Sequence, residues 1–67
     1  MITNIEMVSV NSSFIRAVGH DGHTLYVEFH TGDTYPHPRV PYFMFEDLID
    51  ADSPGTYYNQ CIRGRYR

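Results

Sequence analysis

The chain has 67 residues, 42% apolar and 15% aromatic, with a formal net charge of −3 at pH 7. That length holds one small domain, and that apolar share excludes an intrinsically disordered chain. A single cysteine, Cys61, excludes an internal disulfide and a cysteine-based zinc site, and no apolar run approaches the roughly 20 residues of a membrane span.

The first ten residues are weakly patterned; Met7-Val8-Ser9-Val10 can add a short strand, and Asn11-Ser12-Ser13 reads as a turn. Phe14 to Gly19 is rich in β-forming residues, and His23 to His30 alternates apolar and polar almost strictly, so the two segments flanking His20-Asp21-Gly22 predict a hairpin. A two-residue Asp21-Gly22 loop would set Arg16 opposite Val27 and strand a charge in the core. A three-residue loop with Gly22 in a left-handed bulge pairs Ala17 with Leu25 and Ile15 with Val27, and is the preferred register. It gives a core face of Ile15, Ala17, Leu25, Val27 and Phe29. Thr31-Gly32-Asp33 then turns the chain into a third strand, Thr34 to His37. Pro36 cannot donate to a ladder, so that strand should lie at an edge or stop there.

Over residues 40 to 51 the apolar positions Val40, Pro41, Met44, Phe45, Leu48 and Ala51 follow a helical stripe, with Pro41 suited to the first turn. This amphipathic helix is expected to cover the sheet. The stripe leaves Tyr42, Phe43 and Ile49 outside, among Glu46, Asp47 and Asp50, as a candidate protein-contact surface. Ser53-Pro54 starts a second, short helix, Ser53 as N-cap and Pro54 at the first position, on which Tyr58 and Ile62 point inward; Gly64 ends it. The fold class expected is therefore α+β: a small antiparallel three-stranded meander packed against one amphipathic helix, followed by a short C-terminal helix. A core this small exceeds the entropy of ordering the chain by little, so docking on a partner or on a second copy should add stability.

These residues also form a known pattern. Ser12-Ser13, Ile15, Val18-Gly19, Asp21, Leu25-x-Val27-x-Phe29, Gly32, Tyr35, Val40-Pro41, Leu48, Ala51-x-Ser53-x-Gly55, Tyr57-Tyr58-Asn59 and Ile62-Arg63 resemble the KTSC domain, a short module named after the C-terminal extension of some lysyl-tRNA synthetases and found also as a free-standing bacterial or phage-type protein. The resemblance spans residues 7 to 66 and is most specific from Ala51 to Arg63. It implies a single domain over residues 1–67, with 1–6 and 63–67 loose, and an α+β module for which RNA binding has been suggested. Two positions depart from the pattern. The central Tyr-x-Tyr of the family is here Tyr35-Pro36-His37, and the tyrosine after Val18-Gly19 is His20, so a role of those two rings is not carried over.

All eight acids fall within residues 1 to 52, beside Arg16 and Arg39, whereas residues 53 to 67 hold three arginines, no acid and no lysine. Arg63, Arg65 and Arg67 interleave with Tyr66, and Tyr57, Asn59 and Gln60 precede them on the short helix. These seven are the nucleic-acid or anion candidates, because guanidinium neutralises phosphate while a tyrosine ring stacks on any base. Three phosphate contacts would give a salt slope of only about −2 on a single strand. His20-x-x-His23 could bracket a metal with Asp21, but a metal site needs three or four convergent ligands and this loop should splay the two rings, while Cys61 has no acid placed to orient a base, so no metal, cofactor or catalytic residue is expected. The sequence favours a non-catalytic module that contacts another protein or itself, with weak binding of RNA or a nucleotide as the alternative. The opening residues Met1 to Glu6 lack the features of a signal peptide, so the cytoplasm is the expected compartment, and the resemblance implies that of a bacterium or phage-infected cell.

Overall fold

The structure, a computed structural model, describes residues 5–65. Strict alternation from Thr24 to Phe29 builds one of the two inner strands of the sheet, with Leu25 and Val27 turned inward and fully buried. Around it, β1 (Val8–Ser9), β2 (Ile15–His20), β3 (Thr24–Phe29) and β4 (Thr34–Pro38) form an antiparallel meander in which each strand lies beside its sequence neighbour. Helices α1 (Tyr42–Asp50) and α2 (Pro54–Tyr57) follow, and α2 runs directly into a π-helical turn, Tyr58–Ile62. The α+β class stands, but the sheet has four strands where three were expected. The added strand is a two-residue pairing of Val8 with Val18 and Ser9 with Ala17, extended by a bond from the Val10 N–H to the Arg16 carbonyl at 3.2 Å. Gly19 permits the approach: a Cβ there would lie 2.7 Å from both Ile5 Cγ2 and Met7 Sδ.

The hairpin register also differs from expectation. Val18 faces Val27, Gly19 faces Tyr26 and His20 faces Leu25, and the turn closes between Asp21 and Thr24 around Gly22 at φ 103. The Asp21 side chain sets that closure, since its Oδ1 accepts from the backbone N–H groups of His23 at 2.9 Å and Thr24 at 2.7 Å. The objection that fixed the expected register, a charge in the core, is met by a bulge. The ladder shifts between Ile15 and Ala17, so Ile15 and Val18 both reach the core while Arg16 stays exposed.

Pro41 serves as the N-cap of α1, one residue ahead of the helix rather than within it. Phe45 and Leu48 are buried and Met44 packs beside them, as the stripe predicts. Ile49 departs from it. One turn beyond Phe45, it packs against the core and leaves the surface patch to which the spacing assigned it. The stripe was anchored on Val40 and Pro41, which precede the helix, and this rotated its centre. Ser53 caps α2 as expected, its Oγ accepting from the Thr56 N–H at 3.4 Å, with Pro54 at the first position. Tyr58 and Ile62 complete the core with Ile15, Val18, Leu25, Val27, Val40, Phe45 and Leu48.

Candidate functional site

Away from the β2–β3 turn, the sheet ends in aromatic rings. Ser12 Oγ accepts from the N–H groups of Phe14 at 3.3 Å and Ile15 at 3.2 Å, which fixes Phe14 where the chain enters β2. Phe29 closes β3. On β4, the pairing of Val27 with Tyr35 and of Leu25 with His37 puts Tyr35 and His37 on the inner side of the sheet. Tyr58 reaches the same place from the π-helical turn.

The rings meet at close quarters. Phe14 and Phe29 are stacked with centroids 6.2 Å apart, and Tyr58 stands edge-on to Phe29 at 5.8 Å and to Phe14 at 6.3 Å. Tyr35 stands edge-on to Phe29 at 5.3 Å. Edge and offset arrangements of this kind are the favoured ones for aromatic pairs. Gly55 makes room for the wall, because a Cβ there would lie 2.7 Å from Phe14 Cε1. Behind it, His37 Nε2 lies 3.0 Å from the Tyr58 hydroxyl, and both residues are buried. Burial pushes the Tyr58 phenol above its ordinary value of 10.0, with Arg63 acting in the opposite sense and Tyr35 adding to the rise.

Phe14, Phe29, Tyr35 and Tyr58 line a groove of about 590 Å³, whose remaining walls are Ser13, His30, Thr31, Asp33 and Arg63. That volume falls within the roughly 300–1,000 Å³ of small-ligand sites. Its rim carries one cation and one anion. Arg63 Nη1 donates to Asn59 Oδ1 at 3.4 Å, and the Thr31 hydroxyl donates to Asp33 Oδ2 at 3.3 Å. His30 donates from Nε2 to the Ser12 carbonyl at 3.0 Å.

Of the residues nominated from the sequence, Arg63 lies in this groove and Asn59 supports it from one turn earlier. Gln60 and Arg65 are exposed and are not among the groove's lining residues, while Tyr66 and Arg67 lie outside the described residues. Tyr57 is half-buried and donates to Asp47 Oδ2 at 3.5 Å, which ties α2 to α1. Tyr42 and Phe43 are exposed, and Tyr42 rests edge-on against His20 with ring centroids 5.3 Å apart. Cys61 is half-buried against the core. Among the described residues no group of three His, Cys, Asp or Glu converges as a metal site. At the β2–β3 turn His20 Nε2 donates to the Val40 carbonyl at 2.6 Å while its Nδ1 accepts from the Gly22 N–H at 2.9 Å, a pattern that specifies the Nε2–H tautomer. Asp21 is held below its ordinary carboxylate value by the N–H groups of His23 and Thr24, and Tyr26 is raised by burial and by the Asp21 carboxylate. No helix of the described residues is long and apolar enough to cross a membrane.

Sequence reasoning did not assemble the aromatic wall. Phe29 and Tyr58 read as core and Phe14 as strand. The available signal was the i, i+2 spacing of Tyr35 and His37, which puts Tyr35 on the inner side of an edge strand.

Comparison with known proteins assigns the chain. The sequence profile of the KTSC domain matches residues 11–66. A protein of Tsukamurella paurometabola is 38% identical over 63 residues, covering 91% of this chain and 94% of its own. The lysine–tRNA ligase of Nostoc punctiforme is 39% identical over 44 residues, 66% of this chain but only 8% of the ligase. Among solved structures, the crystal structure of a KTSC domain protein from Yersinia pestis superimposes with a TM-score of 0.88 at 26% identity, covering 96% of this chain and 93% of that one. By sequence profile and by architecture, this chain belongs to the KTSC domain family.

Proposed function

We propose that this domain is a non-catalytic binding module whose aromatic groove takes a short stretch of single-stranded RNA in the cytoplasm of a bacterium or phage-infected cell. One observation carries the reading: the ring of Tyr35, 52% exposed, and the guanidinium of Arg63 open on the same groove. An exposed ring offers a stacking surface to any base, and a guanidinium offers a forked contact to the adjoining phosphate. The relatives named as lysine–tRNA ligases, which carry a similar stretch, support an RNA partner. The test is fluorescence anisotropy with a labelled single-stranded RNA. Arg63→Ala should weaken binding and reduce the salt slope by about 0.7, the contribution of one phosphate on a single strand. Tyr35→Ala should weaken it about tenfold, in the lower part of the range for one stacked base. Absence of binding by the wild-type domain at low salt overturns the reading.

A second reading, docking on a protein or on a second copy, rests on Phe43, which is 60% exposed beside Tyr42 at 52%. It is the narrower of the two, since Ile49 is withdrawn into the core and Tyr42 already packs against Phe45 and His20. Sedimentation of the wild type and of Phe43→Asp across a hundredfold concentration range tests self-association. A monomer throughout removes it.

A further inference from the structure

We propose that Asp33 makes the groove select guanine; the inference rests on the RNA reading above and names the base. Asp33 is the carboxylate among the lining residues, and it stands two residues before Tyr35 on the groove side of the chain. Its place is fixed by the backbone. Gly32, at φ 100, closes the turn, and the Asp33 carbonyl accepts from the Phe29 N–H at 2.8 Å. Its side chain is exposed and takes one hydrogen bond, from the Thr31 hydroxyl to Oδ2, leaving Oδ1 without a donor among the described residues.

An ionised carboxylate only accepts hydrogen bonds. The Watson–Crick edge of guanine presents two adjacent donors, N1–H and the exocyclic N2–H₂, spaced to meet the two carboxylate oxygens. Adenine and cytosine set a ring lone pair beside their amino group, and uracil flanks its single N–H with two carbonyls. Each of these would turn an acceptor toward Asp33. A base seated on Tyr35 with its phosphate at Arg63 therefore satisfies the rim of the groove only when it is guanine. The opposite charges of Asp33 and Arg63 suit the two ends of one nucleotide, a donor edge and an anionic phosphate. A site that pairs a donor edge discriminates against analogues lacking it, because the carboxylate is then left facing a lone pair.

The experiment measures four labelled uridine pentamers that differ only in the central base, by anisotropy at low salt. The guanosine pentamer should bind about tenfold more tightly than the adenosine, cytidine or all-uridine ones, the lower part of the range for a bidentate contact. Asp33→Asn should erase that preference, because its amide turns a donor toward one of the two guanine donors, while leaving the salt slope unchanged; circular dichroism checks that the variant is folded. Equal affinity of the wild type for all four overturns guanine selection and leaves the RNA reading standing. Preference retained in Asp33→Asn overturns the role of this residue. No binding of any pentamer overturns both.

Discussion

At the β2–β3 turn the side chains of His20 and Asp21 are engaged with the backbone around them, whereas at the other end of the same strands rings and charges stand open. His20 uses both ring nitrogens on main-chain groups, and Asp21 accepts from two N–H groups and from the Tyr26 hydroxyl. Around the groove, by contrast, Tyr35 is half exposed, and Arg63 and Asp33 each make one side-chain hydrogen bond to a sequence neighbour. A tight turn exposes main-chain donors and acceptors that nearby side chains must satisfy. Side chains used in this way build the fold, and those with capacity to spare are the ones a ligand can meet. Of the two histidines that the spacing sets at this turn, His20 belongs to the first class.

The comparison breaks most sharply at Tyr58. Tyr58→Ala removes a ring that is 4% exposed and touches both the core and the groove, and should cost about 3–5 kcal/mol in denaturant unfolding. A cost below 1 kcal/mol would mean that the groove wall is not anchored in the core. Next comes Gly55→Ala, whose new methyl would meet Phe14; overpacking of this kind costs about 1–3 kcal/mol. It should also weaken RNA binding by displacing the wall, and unchanged stability and binding would show that Phe14 yields freely. The smallest effect belongs to the turn. The folded-state value of Asp21 is lowered from 3.8, so the stabilisation it gives is complete above that pH and is lost as pH falls through the lower folded value. Unfolding curves of the wild type and Asp21→Ala, separated at neutral pH, should converge in acid.

Much of the architecture was legible in the sequence because local chemistry and tertiary structure agree there. Alternation in β3, Pro36 at the sheet edge, the Ser53-Pro54 helix start and the inward pair Tyr58 and Ile62 all follow from short-range rules. The register was not legible, since a bulge lets an odd and an even residue, Ile15 and Val18, share one side, which strict alternation forbids. Ile49 was misplaced because two residues ahead of the helix were counted into its stripe. β1 falls inside Met7–Val10, where a short strand was legible, but its two residues carry too little pattern to count it into the sheet. Of the site, Arg63 was legible from composition. The aromatic wall was not, because it draws Phe14, Phe29, Tyr35 and Tyr58 from separate elements that only the assembled meander brings together.

The widened turn after α2 has a consequence for where the chain points. The Arg63 N–H reaches back five residues to the Tyr58 carbonyl, at 2.8 Å, so this turn accommodates one residue more than an ordinary helical turn would. Each residue of an α-helix advances the azimuth by about 100°. Deleting one exposed position, Gln60, would let the same two partners meet as the i→i+4 bond of an ordinary helical turn and leave the guanidinium on its side of the domain, whereas inserting one there would swing it toward a different quadrant, so this segment is expected to tolerate shortening by one better than lengthening.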